Sequence, residues 1–422
     1  MLKKVIRGWL TCCLAVPGLA IAADLGLDDA IGLARANSPG LRVAELRILT
    51  YEAQRDQANV FPNPDLELQV ENVAGDGEFS GTDAAEYTVF ISQSIRMGSK
   101  RTSQVRVVDA ARSLAEWDRE SEEHELVRSV TALFVQVLED RERVALSKEF
   151  VKLSGQLVQS AERRVKAGGA SVLEQTKAEI EHASTMARQQ RMKQRLQSSS
   201  RQLASLVGVP ASQLPPLKGD LYEMEELPVF EVLKSRLSQS PAWARWSDEI
   251  EQRAAVSALA RTLRVPDLDL GVGWRRDEAA GSDAFLFSAG FPLPLFDRGG
   301  GSRRAAQFQL TAAEAERRAA ELALERQVAA LYGELVEFHA AARAIEETIL
   351  PMVNKAFDVS REGYLQGRFG YIDLLDAQRT LFNVRSEYID VLGSHHQTRA
   401  KLDRLTSGTS RLKPQDAKDQ EP

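Results

Sequence analysis

Apolar positions along this chain follow two kinds of pattern, and the two alternate in the same order twice. From about Arg101 to Lys166 there is no Pro, and no Gly apart from Gly155. Within that stretch Val130, Val137, Val144, Val151, Val158 and Val165 recur every seven residues. A strict seven-residue repeat imposes left-handed supercoiling with a neighbouring helix. Leu146, Phe150, Leu153 and Leu157 form a second apolar row, offset around the same helix. Two rows predict two neighbours, which suits a helix lining a tube and suits an ordinary helical bundle equally. At 1.5 Å per residue the helix spans on the order of 100 Å and needs partners along its length. A helix over about Leu41–Val60, stopped by Pro62, and another over about Val172–Leu206 nearly match it when stacked end to end. The expectation is one long helix beside two shorter ones, with a tight turn at Gly168-Gly169.

The second pattern has period two. Strands are predicted over about 64–73, 86–96, 266–275 and 284–295. In the first, Leu66, Leu68 and Val70 oppose Asp65, Glu67, Gln69 and Glu71. Tyr87, Val89 and Ile91 continue the apolar face on the return strand, after a loop containing Gly75, Asp76, Gly77 and Gly81. In the second hairpin Leu268, Leu270, Val272 and Trp274 oppose Asp267, Asp269 and Arg275, with Phe285, Phe287 and Phe291 returning. A small soluble sheet with one buried face would show the same alternation. Two features favour a membrane barrel: strands of roughly 9–11 residues, enough to cross a bilayer at a tilt, and a charged face suited to a water-filled lumen. Four strands cannot close around water, and about eight fill their own interior with side chains. Twelve strands, four from each of three chains, leave a channel, so a trimer sharing one barrel is expected.

The two halves match at a nearly fixed offset. Asn37-Ser38-Pro39 corresponds to Gln239-Ser240-Pro241, and Pro64-Asp65-Leu66 to Pro266-Asp267-Leu268, each 202 residues on. Gly168 and Gly367, Glu174 and Asp373, Ala178 and Ala377, and Leu206 and Leu405 are 199 apart. A duplication is the simplest account. It divides the chain into a first repeat over 23–208, a linker over 209–228 rich in helix breakers, and a second repeat over 229–408. A polar tail over 409–422 is expected to be disordered. Residues 1–22 read as a cleaved signal peptide: Lys3, Lys4 and Arg7 precede a short apolar run that ends at Ala20-Ile21-Ala22.

Composition then narrows the function. Both cysteines, Cys12 and Cys13, lie in the signal, so the mature chain has no disulfide and no thiolate metal site. A net charge of −6 argues against a nucleic-acid partner. His124, His182, His339, His395 and His396 show no metal-ligand spacing, and His395-His396 are expected at the surface. No phosphate loop, nucleophile elbow or metalloprotease helix is present. Catalytic residues, metal ligands and cofactors are therefore not expected. Gly299-Gly300-Gly301 reads as a bend at the barrel exit, matching Gly98.

The run Tyr364-Leu365-Gln366-Gly367-Arg368-Phe369-Gly370-Tyr371-Ile372-Asp373-Leu374-Leu375-Asp376-Ala377 carries the sharpest motif. Gly367 and Gly370 are expected to permit a tight helix reversal. Asp373 and Asp376 are three apart and share one helical face. Taken alone they fit an ordinary helix start, favoured by the dipole, somewhat better than a ring of carboxylates formed where three chains meet on an axis. The run resembles the Tyr-x-x-Gly turn and Asp-x-Leu-Asp-Ala helix start of the TolC-like outer membrane efflux family. Val165-Lys166-Ala167-Gly168-Gly169-Ala170-Ser171-Val172-Leu173-Glu174 is its weaker copy. Pro62-Asn63-Pro64, Glu71-Asn72, Ser92-Gln93-Ser94-Ile95 and Met97-Gly98-Ser99-Lys100-Arg101 are most similar to the cobalt-zinc-cadmium (CzcC-like) branch, from which Arg96 and Ser99 depart.

The resemblance implies a mainly α fold with a β-barrel part. That is a homotrimer with a twelve-stranded outer-membrane barrel on a long periplasmic α-helical barrel. It implies an exit duct for heavy-metal cations, working with a periplasmic adaptor and an inner-membrane RND pump. It further implies a gate at Asp373, Asp376, Glu174, Tyr364 and Arg368, the last beside Phe369, where the family's own Arg would align. The adaptor would meet the turns at Gly168, Gly169, Gly367 and Gly370. A duct for drug or protein export is the nearest alternative. A periplasmic coiled-coil adaptor is a rival of another class, distinguished by whether the hairpins sit in lipid or in water.

Overall fold

The computed structural model describes residues 24–408. The expected signal peptide over 1–22 and tail over 409–422 lie outside the described residues. The first copy runs α1 (Leu27–Asn37), α2 (Pro39–Asn59), β1 (Asp65–Glu71), β2 (Glu86–Ile95), α3 (Lys100–Lys166) and α4 (Val172–Val207). The second runs α5 (Phe230–Leu237), α6 (Pro241–Thr262), β3 (Leu268–Asp277), β4 (Ser282–Gly290), α7 (Gly300–Ala344), α8 (Leu350–Leu365) and α9 (Tyr371–Thr406). Helix α3 is 67 residues long and has α2, α4, α6 and α9 as neighbours. Of the predicted seven-residue row, Val130 and Val137 are buried, and the rest are half-buried. Leu146, Phe150 and Leu157 are buried with Leu203, Val207, Leu381 and Leu392 in one continuous core. Phe150 meets Phe382 edge to face, ring centroids 4.9 Å apart. No described helix is long and apolar enough to cross a membrane.

Two helical features were not expected from the sequence. Ser38 ends α1 and accepts a hydrogen bond from Leu41 N at 3.3 Å, so Pro39 begins a second helix where its missing N–H costs nothing. The partner of α3 in the second copy is not one unbroken helix. A π turn over Ile345–Ile349 separates α7 from α8. Pro351 follows, and its ring would clash with the carbonyl four residues back in a regular helix; widening the preceding turn relieves that clash.

The four strands form one antiparallel sheet in the order β1-β2-β3-β4. Leu66, Ile91, Val272 and Phe287 align across it, as do Leu68, Val89, Trp274 and Phe285. Both rows lie on one face and all eight side chains are exposed. The other face carries Glu67, Gln69, Thr88, Arg275, Glu71 and Glu86, and there Phe90 covers Gly271 and Gly273, where any side chain would collide with its ring. Glycines capped by an aromatic ring allow a sheet to curl. Strand β4 stops at Gly290, short of the predicted 295, because Pro292 and Pro294 have no N–H to offer a ladder. Gly98 and Gly299 both adopt positive φ, +66° and +64°, where sheet turns into long helix.

The surface placement of His395 is overturned. It is 2% exposed, and its ring lies 5.5 Å from that of His339 on α7 and 5.4 Å from that of His396. Burial, then the neighbouring His396, His339 and Arg399, lowers its pKa to about 4, so the ring is neutral over the physiological range. His396 is half-buried and contacts Leu221 O through Nε2 at 2.9 Å.

Candidate gate at the helical turns

At the end of the molecule away from the sheet, α3 reverses into α4 and α8 into α9. The two reversals share one hydrogen-bond pattern. Gly168 N donates to Val165 O and Gly169 N to Arg164 O; Gly367 N donates to Tyr364 O and Arg368 N to Gly363 O. This is a left-handed C-terminal cap, and it explains why Gly168 and Gly367 sit at φ +72° and +75°. Gly370 does not need to be glycine for its own conformation, contrary to the sequence expectation, since its φ is −78°. All four glycines predicted for the tip are exposed.

Beyond each turn the next helix must satisfy its free N–H groups. Ser171 does this for α4, its Oγ accepting from Glu174 N at 3.3 Å. At α9 Gly370 offers no such oxygen, and only the other half of a capping box is made: Asp373 accepts from the Gly370 N–H at 3.0 Å. Glu174, the counterpart of Asp373, has a different partner: the Tyr364 hydroxyl donates to its Oε1 at 2.7 Å. Tyr364 is fully buried. Burial and the Glu174 carboxylate push its phenol well above the usual range, so it stays a donor. Tyr371, 6.0 Å away by ring centroid, is pushed up to about 12 by burial and the charge of Glu181.

Sequence reasoning missed the residue that ties the two turns together. Arg164 donates to Tyr364 O at 2.7 Å and Gly169 O at 3.2 Å, and its guanidinium lies 4.5 Å over the Tyr364 ring. Its counterpart 199 residues on is Gly363, where any side chain would collide with the Phe369 ring. That large-for-nothing exchange between the copies was the available signal. Deeper along the helices Arg379 bonds Glu181 at 2.7 Å. Of the predicted gate residues, the structure brings Tyr364 and Glu174 into contact and places Asp373 in its capping role. Asp376 is exposed one turn further along α9, and the Arg368 side chain is exposed on the turn. Among the described residues no group of three or more His, Cys, Asp or Glu is placed to hold a metal ion.

Two copies of helix–hairpin–long helix–turn–helix, one shared four-stranded sheet and paired turns at the far end define an outer-membrane duct. The family model "Outer membrane efflux protein" matches residues 30–209 and 232–408, and the chain belongs to that family. Its members are trimeric channels that work with periplasmic adaptors and inner-membrane pumps, and they are conduits, not enzymes. The chain is 31% identical to the cobalt-zinc-cadmium resistance protein CzcC of Cupriavidus metallidurans, over 91% of its own length and 90% of the relative's. It is 24% identical to the pyoverdine export outer membrane protein OpmQ of Pseudomonas putida, over 90% and 86%. The solved structure of the outer membrane protein VceC from Vibrio cholerae superposes with a TM-score of 0.74 at 17% identity, covering 90% of this chain and 96% of that one. The protein is thus a TolC-like channel of the outer membrane and periplasm.

Proposed function

We propose that three copies of this chain form the exit duct of a tripartite pump that exports heavy-metal cations, with its periplasmic gate at the paired turns. The cargo reading is supported by the likeness to a cobalt-zinc-cadmium resistance protein across nine-tenths of both chains. The gate reading rests on one observation above the others: the 2.7 Å bond from Tyr364 to Glu174 joins the two repeats at their turn end. With α9 lining the mouth, threefold symmetry makes Asp373 and Asp376 two rings of three carboxylates. Such a mouth has a strongly negative field that draws cations and repels anions. Arg368, on the exposed turn, sits where it can meet a neighbouring chain or the adaptor. Gly168, Gly169, Gly367 and Gly370 leave the tip open to an adaptor, with an inner-membrane RND pump beyond it and outer-membrane lipid around the sheet.

The test replaces both acids, Asp373→Ala with Asp376→Ala, and records single channels. The trimer should persist while cation-over-anion selectivity falls several-fold. Unchanged selectivity in a folded double variant would return both acids to ordinary helix-start roles. Sensitivity of a deletion strain to cobalt, zinc and cadmium salts tests the cargo separately.

A further inference from the structure

The apolar face of the sheet is too short for the membrane it has to match. On β3 it runs from Leu268 to Trp274, after which Arg276 pairs with Asp283 at 3.6 Å. Six steps of ~3.4 Å make about 20 Å along the strand, or about 15 Å of height at a tilt of ~40°. A barrel's lipid band is about 25 Å tall. The copies differ at both edges of the sheet, and on the periplasmic side the difference adds apolar residues that continue the lipid-facing rows. The first goes from β2 to α3 through four residues, Arg96 to Ser99; the second goes from β4 to α7 through nine, Phe291 to Gly299.

Those extra residues are apolar and uncovered. Phe285, Phe287 and Ala289 share the lipid-side rows, and Phe291, Leu293 and Leu295 continue the same alternation past the end of the strand. Phe291, Leu293 and Leu295 are each about 60% exposed, and Phe296 is 99% exposed. Pro292 and Pro294 keep the segment out of any ladder. Below it the charge is mainly basic: Arg298 and Arg304 are exposed, Arg96 is exposed at the facing junction and Arg101 lies 4.5 Å over Phe61, against one exposed acid, Asp297, which accepts from Gly299 N at 2.9 Å.

We propose that Phe291–Phe296 is an interfacial anchor that lies in the acyl–headgroup boundary of the periplasmic leaflet, with Arg298 and Arg304 holding anionic phospholipid headgroups. Continuity with the lipid-facing rows and the basic collar below it both select lipid as the occupant. Aromatic residues at the edge of the apolar band and cations just beyond it are what a bilayer interface accommodates.

The chain has no cysteine past Cys13, so Phe296→Cys, made with Cys12→Ser and Cys13→Ser, gives one attachment point. A nitroxide there is read in the full trimer, reconstituted in vesicles of phosphatidylcholine with or without phosphatidylglycerol. Collisions with oxygen should exceed those with a water-soluble nickel chelate several-fold. Faster nickel collisions, meaning water, or shielding from both reagents, meaning a neighbouring chain, overturn the anchor. Phe291→Cys repeats the reading should the first variant not assemble. Phosphatidylglycerol should be enriched at least about twofold over the bulk in lipid retained by the purified trimer. Arg298→Gln with Arg304→Gln should bring it to the bulk ratio. Equal enrichment with and without the two arginines overturns the headgroup assignment.

Discussion

The two reversals, α3 to α4 and α8 to α9, have the same backbone and opposite side-chain logic. Both use a glycine at positive φ and the same pair of capping hydrogen bonds. In the first, Ser171 caps the new helix and Glu174 reaches across to Tyr364. In the second, Asp373 reaches back to the N–H of Gly370, which has no side chain of its own to add the other half of the cap. The acid three residues past the N-cap thus acts between turns in the first copy and within its own turn in the second. Two matching frames carry different bonds, the first supplying the carboxylate and the second the tyrosine.

The sharpest way to break this asymmetry is Tyr364→Phe. It removes a hydrogen bond to a charged acceptor, worth roughly 1.5–3 kcal/mol. Single-channel conductance should rise several-fold, with the trimer retained. Its counterpart in the first copy is Val165, and Val165→Ala should leave conductance within experimental scatter. Equal effects at both positions would show that the 2.7 Å bond is incidental. Ser171→Ala should act in the same direction more weakly. It removes an N-cap worth about 1 kcal/mol and loosens the first turn of α4, which carries Glu174 to Tyr364. Thermal melting should show the loss, conductance should rise less than for Tyr364→Phe, and Ser171→Thr should restore both.

The sheet and the long helix were legible because their signals are local and repeated. Period two from Leu66 to Val70 and the valines from Val130 to Val165 each fix a face without reference to the rest of the chain. Residues whose role depends on a distant partner were not legible. Arg164 looks like its neighbour Arg163 until Tyr364 and Gly169 are brought beside it. His395 reads as one more polar residue on a charged helix, and only the packing of α7 across α9 buries it. The turn at Ile345–Ile349 is a different failure. Pro351 was visible, but a proline shows where a helix must yield and not how. The expectation that Gly370 makes the reversal confused a glycine required by its backbone with one that merely lacks a side chain.

That last distinction gives the smallest and most discriminating effect. Gly370→Ser places the side chain of Ser171 at the matching position of the second turn. The backbone there is extended, φ −78° and ψ 163°, which serine adopts freely. A new Cβ would meet only Asp373 Oδ2, at an ordinary 3.5 Å. Replacing glycine by serine at an N-cap changes stability by only a few tenths of a kcal/mol. The new hydroxyl would accept from Asp373 N while Asp373 keeps its bond to the N–H of residue 370, completing a capping box, so cation selectivity should be unchanged. Gly367→Ser, three residues earlier, forces φ +75° on a residue with a Cβ and should cost about 1–2 kcal/mol, although nothing lies within 4 Å of the new atom. Comparing the two melting curves separates conformational need from available space. Equal losses at the two glycines would mean that Gly370 is also held by its backbone.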